Sequence, residues 1–209
     1  VLFAYDNPAV LVGAAVALLV GLTFHEFSHA FVADQLGDHR PRALGRVSLN
    51  PLHHIDPFGA LMVLLVGFGW AKPVPINPVA LRPGRRALSV VAAAGPVANV
   101  VVAVAAAVVF RLLDAVGVSG FALEAVLYAV FFNFVLAIFN LVPIPPLDGY
   151  NVVLPFLPPR TAWQVQRYAQ YGMLVLLVLI LIPSMTGGAG PLTFIFDAAR
   201  GLTRLLIGA

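Results

Sequence analysis

The sequence predicts an all-α polytopic membrane protein: four long transmembrane helices, a re-entrant segment or short apolar hairpin, and a C-terminal amphipathic or transmembrane helix. Three observations predict it. Hydrophobic residues make up 61% of the chain and charged residues 10%, against roughly 45–50% and 25% in a soluble domain. Mean hydropathy is +0.97. The apolar residues also gather in runs almost free of charge: residues 10–33 carry only Glu26, 88–110 carry none, and 121–142 carry only Glu124. Each run is long enough, at ~1.5 Å per residue, to cross a hydrocarbon core of ~30 Å.

The first helix is expected to run from Pro8, favourable in a first turn, to Leu36, with Gly37 as its stop. Its length, the lack of a basic leader and its internal His and Glu set it apart from a cleavable signal. A polar stretch, 38–57, holds Arg40, Arg42 and Arg46. The short apolar run 58–70 follows, and then Lys72-Pro73-Val74-Pro75-Ile76-Asn77-Pro78, whose prolines forbid a regular helix. Arg82, Arg85 and Arg86 precede a second long helix, 87–113, and a loop ending at Gly120 leads to the third, 121–142. After a Pro-rich segment containing Leu147-Asp148-Gly149, a fourth helix is expected over 162–182. In the tail from Pro191, Asp197, Arg200 and Arg204 gather near one helical face, which favours an interfacial helix over a final span. Residues 1–209 read as one domain: a first helix (1–36), loops with the re-entrant segment (37–87), two helices (88–142), the Asp148 segment (143–160) and C-terminal helices (161–209).

Cys is absent, so any transition metal must be held by His, Asp or Glu. The net charge of +3, with Arg residues clustered between spans, suits orientation in a lipid bilayer rather than nucleic-acid binding. Arg far outnumbers Lys, and Ala and Val are abundant, which points to a GC-rich bacterial genome and hence a bacterial inner (plasma) membrane.

Within the first helix, His25-Glu26-Phe27-Ser28-His29 matches H-E-x-x-H. Residues four apart share a helical face, so the two imidazoles can grip one Zn²⁺, while Glu26 can act as general base toward water at the metal. Three ionisable groups in mid-helix each cost on the order of 2–3 kcal/mol in lipid, so they must face a partner or a wet cavity. Two His leave zinc short of a third protein ligand. His39, His53, His54 and the acids are the candidates, and Asp148 is the best of them. Pro143, Pro145 and Pro146 break the chain just before it, and Gly149 permits a tight turn after it.

Topology bears on that choice. If 58–70 crossed the membrane, its two Arg-bearing flanks would lie on opposite sides, and so would Asp148 and the end of the first helix. If the segment dips in and returns, both basic loops are cytoplasmic, as the positive-inside rule prefers, and Asp148 joins the His pair. At about thirteen residues the run is also short for a span. The active site is then expected toward the cytoplasmic side.

These residues resemble the site-2 protease family of intramembrane zinc metalloproteases. The similarity lies in His25-Glu26-Phe27-Ser28-His29, Gly95-Pro96-Val97-Ala98-Asn99, and Asn140-Leu141-Val142-Pro143 through Leu147-Asp148-Gly149. Residues 49–57 and 69–75 add likeness to the compact bacterial branch without a PDZ domain. The resemblance implies His25, His29 and Asp148 as metal ligands, Glu26 as catalytic base, and Asn140 as a catalytic residue that binds substrate or stabilises an oxyanion. It also implies cleavage of a transmembrane protein substrate, often to release a membrane-anchored transcription regulator.

Other signals are weaker. His53, His54 and Asp56 read as polar residues ordering a loop rather than a second metal site, because adjacent His side chains point apart. Asn99 and Asn133 read as interhelical hydrogen-bonders. Gly117-Val118-Ser119-Gly120 looks like a serine-protease motif, but no His follows His54 to serve as its base. The rival reading is a metal transporter or sensor using the same ligands, which has no use for Glu26 as a base.

Overall fold

Asn7 caps the first helix, its side chain accepting from the Ala9 N–H at 2.9 Å with Pro8 in the first turn. The computed structural model describes residues 7–59, 71–82, 84, 86–186 and 190–208. Helix α1, Pro8–Gln35, is the first of four helices long and apolar enough to cross a membrane. It widens to a π-helical turn at Ala17–Gly21, just before the H-E-x-x-H segment. Such turns are frequent at functional sites.

Beyond α1 the chain is held by charge. Asp34 accepts from Arg42 at 2.7 and 3.0 Å and pairs with His39 at 3.0 Å, and the short helix α2, Arg40–Ala43, carries both flanking arginines. Burial works against the Asp38 carboxylate, but Arg40 and the Asn77 N–H overcome it and hold its pKa below the ordinary value. Arg46, itself buried, donates to the carbonyls of both His53 and Lys72. Those two residues flank an antiparallel bridge between Ile55 and Ala71, and Lys72 N–H donates to His54 O at 2.8 Å.

This pairing tests the topology. The apolar run 58–70 lies almost wholly outside the described residues, but its two flanks touch. Further along, Arg82 N–H donates to Leu36 O at 2.9 Å. The end of α1 and the approach to the next long helix therefore lie at one end of the bundle.

Helix α3, Ala87–Ala115, returns across the bundle and α4, Phe121–Asn140, comes back beside it. Small residues let these backbones approach: Ala14, Ala17, Ala92, Ala103, Ala125 and Ala129 are all buried. A turn after α4 leads into α5, Asp148–Val153, then α6, Pro159–Tyr168, and α7, Gly172–Thr186, of which Pro159–Ile182 forms the fourth candidate span. That span is mostly exposed, with Gly172 seated against Pro145. No strand occurs among the described residues beyond the single bridge.

The last helix, α8, Thr193–Ile207, is amphipathic as expected, with Asp197, Arg200 and Arg204 exposed. It is also docked on the bundle. Its buried stripe, Ile195, Ala199 and Thr203, packs on the flanks of α3 and α4, where Ala199 meets Ala103, Ala107, Val130 and Phe134. The alanines on both sides make that close approach possible.

Candidate metal centre

α1 presents His25 and His29 one turn apart, ring centroids 4.6 Å from each other and nearly perpendicular, and both are about 5% exposed. Glu26 lies between them in sequence and is buried as well. Asp148, at the first position of α5 and 119 residues beyond His29, comes up to the pair. Its Oδ2 lies 3.0 Å from His25 Nε2 and 3.2 Å from His29 Nε2, and the two Nε2 atoms are 3.1 Å apart.

The far nitrogens decide what those Nε2 atoms are. His29 Nδ1 sits 2.7 Å from Val91 O, a carbonyl that only accepts, so Nδ1 carries the hydrogen. His25 Nδ1 sits 2.7 Å from Asn99 Oδ1, and Asn99 cannot be turned round because its Nδ2 faces Gly21 O at 3.1 Å. In its neutral form each ring therefore aims a bare Nε2 lone pair at the other and at the Asp148 carboxylate. In that form three acceptors converge with no donor among them. One proton would serve one pair at a time and leave the other contacts repulsive, whereas a cation between the three satisfies all.

The spacing suits zinc. Ligands at ~2.0–2.1 Å in tetrahedral array lie about 3.3 Å from one another, close to the observed 3.0–3.2 Å. Gly95 lets both rings sit this close to α3, since a Cβ there would lie 2.4 Å from His29 Nε2, 2.6 Å from His25 Cε1 and 2.7 Å from His25 Nε2. His25, His29 and Asp148 are the one such His/Asp/Glu cluster among the described residues. Three protein ligands leave a fourth position open, the arrangement of catalytic rather than structural zinc.

The ligand set expected from sequence is therefore brought together. Gly149 does not serve a tight turn, since its backbone is helical. It serves packing instead: a Cβ would lie 2.2 Å from Leu141 O. Asn140 donates to Leu136 O of its own helix at 3.0 Å. His53 and His54 order the loop through Gly45 O at 2.9 Å and Ser48 O at 2.7 Å, and Asp56 accepts from the Gly59 N–H. Burial draws the pKa of both Arg46 and His54 down while the Glu26 charge opposes it, so the loop clamp stands within electrostatic reach of Glu26. Sequence reasoning missed Val91 O and Ser89, whose hydroxyl donates to Val152 O of α5 at 2.7 Å. A backbone acceptor leaves no sequence signal, and a lone helical Ser leaves almost none.

Comparison with known proteins agrees. Residues 114–182, which include Asp148 but not the His pair, match the model of peptidase family M50. YwhC of Bacillus subtilis (strain 168), named as a zinc metalloprotease, is 37% identical over 87% of this chain and 85% of its own length. The chain belongs to peptidase family M50. Two mycobacterial proteins named Rip2, likewise as zinc metalloproteases, extend the M50 match. The one from Mycolicibacterium smegmatis is 32% identical over 97% of this chain and 81% of its length, and that from Mycobacterium tuberculosis (strain H37Rv) is 33% identical over 90% and 74%. No solved structure matches. In this M50 chain the His/His/Asp zinc-type site is built inside the membrane-spanning helices of a multi-pass membrane protein.

Proposed function

We propose that this M50 protein hydrolyses peptide bonds within transmembrane segments of other membrane proteins, with Glu26 as general base. The observation that carries the proposal is the buried three-ligand cluster inside apolar helices, with Glu26 adjoining it. When bound, zinc supplies a Lewis acid that polarises the scissile carbonyl and acidifies water. Glu26 takes the proton of the attacking water and passes it to the leaving amine nitrogen. Asn140 commits one N–H to Leu136 O and keeps its other N–H and its carboxamide oxygen, the two complements of a substrate peptide group.

A helical substrate hides its carbonyls in its own hydrogen bonds, so it must unwind before it is cut. The freed backbone needs partners in lipid. Residues 71–77 are non-helical, interrupted by Pro73 and Pro75, and packed at the end of α1 through Ile76. They offer an edge on which an unwound substrate strand can pair. The basic residues support a cytoplasmic placement of this face. Seven of the chain's 12 Lys and Arg lie between residues 40 and 86, against Arg111 at the far end of α3. A membrane-anchored regulator fits such a site as substrate.

The test is a reconstituted assay with a transmembrane substrate. Glu26→Gln is expected to bind zinc normally and lose at least about 10²-fold in cleavage rate. Cleavage at the normal rate would refute the mechanism, and would favour metal handling without catalysis as the role of the site.

A further inference from the structure

His29 is aligned by a backbone carbonyl that no substitution removes, whereas His25 depends on a side chain. That side chain, Asn99, is wholly buried, and each of its polar contacts is committed. Nδ2 donates to Gly21 O at 3.1 Å and to Asn133 Oδ1 at 3.2 Å, so Oδ1 is left facing His25 Nδ1 at 2.7 Å. Asn133, also buried, is fixed in turn because its Nδ2 donates to Ala129 O at 2.9 Å. Gly21 closes the arrangement. A Cβ at that position would lie 2.2 Å from Asn133 Oδ1, so the π-helical turn of α1 ends on the one residue that lets both asparagines in. Three helices thus contribute to one chain of hydrogen bonds in which each amide has a single permitted orientation.

We propose that Asn99, oriented by Asn133, is a positioning residue for the metal centre: it holds the hydrogen of His25 on Nδ1 and so keeps the Nε2 lone pair directed at the ion. The proposal rests on the metal centre described above and not on proteolysis. It differs from simple interhelical bonding in one respect. An interhelical role would be served in either amide orientation, whereas tautomer control needs an acceptor at the His25 end. Hydrogen-bond partners of ligating His rings commonly account for 10–100-fold in metal affinity.

The experiment uses the full-length protein in detergent, with zinc affinity measured by chelator competition and the cobalt-substituted absorption spectrum as a second readout. Asn99→Leu removes the acceptor and is expected to weaken zinc binding by ~10–100-fold and alter the cobalt bands. Asn99→Asp retains an acceptor toward His25 and is expected to bind zinc at least about tenfold more tightly than Asn99→Leu. A packing role predicts the reverse order, because a carboxylate is the worse residue in an apolar bundle. Asn133→Leu leaves Asn99 in place and tests orientation alone: an intermediate loss is expected, with no further loss when it is added to Asn99→Leu. Wild-type affinity and cobalt spectrum in Asn99→Leu, or Asn99→Asp binding no better than Asn99→Leu, would overturn the proposal. Strictly additive losses would overturn the part given to Asn133. Failure of the wild type to bind zinc would instead refute the metal centre itself.

Discussion

Gly95→Ala adds one methyl group, and the structure says where it goes. The new carbon would lie 2.4 Å from His29 Nε2, 2.6 Å from His25 Cε1 and 2.7 Å from His25 Nε2, where ordinary contact begins at 3.4 Å. The two rings must therefore retreat by about 1.0 and 0.7 Å, whereas zinc–ligand distances tolerate about ±0.2 Å. Zinc affinity should fall by at least about 100-fold, beyond the usual effect of losing a hydrogen-bond partner of a ligand. Helix propensity pulls the other way, since Ala is favoured over Gly by ~1 kcal/mol in a helix interior. Loss of metal with helical content retained is thus the expected signature. The assay is zinc content after dialysis, together with chelator competition and circular dichroism of the purified protein. One zinc per chain at wild-type affinity in Gly95→Ala would refute the placement of the metal between these residues.

Three further outcomes are expected. Asp148→Ala should lose zinc and activity together, and full zinc occupancy by elemental analysis would remove Asp148 from the ligand set. Cys introduced at the exposed positions Leu44 and Val79 should be labelled from the same side of the membrane, with Cys at Val116 labelled from the other; the chain has no native Cys to interfere. Opposite labelling at 44 and 79 would contradict the hydrogen bond that joins Arg82 to Leu36. Replacing Gly, Pro or Asn in a substrate helix by Leu should slow cleavage without abolishing association, and equal rates for a uniformly Leu-rich helix would show that unwinding is not required.

The long helices were legible because lipid imposes length and apolarity on any segment that crosses it, and the chain obeys at Pro8–Gln35, Ala87–Ala115 and Phe121–Asn140. His25 and His29 were legible because metal binding demands a fixed helical spacing. Asp148 was legible through the prolines before it, which break the helix far enough for a carboxylate to turn inward. The docking of α8 was not legible. Its charged face resembles that of an interfacial helix, and only the alanines at 103, 107 and 199 show that it sits against neighbours. The role of Gly149 was misjudged for a related reason: sequence cannot distinguish a glycine needed for backbone freedom from one needed for contact.

Helix α3 contributes no ligand, yet it sets all three. Ser89 ties down the helix that carries Asp148, Val91 O aligns His29, Gly95 lets both rings sit close, and Asn99 aligns His25. Residues 91, 95 and 99 fall four apart, so these last three contributions come from a single face. Pro96 sits among them and removes the N–H that would bond Ala92 O, which loosens the ladder beside the carbonyl that His29 uses. Because α1 alone cannot fix either tautomer, the H-E-x-x-H helix is not a metal site until α3 packs against it, and Asn133 of α4 then joins Gly21 O in holding Asn99. High-affinity zinc binding in this chain therefore reports assembly of three membrane helices, and metal binding and tertiary packing should be lost together when any one of the three is displaced.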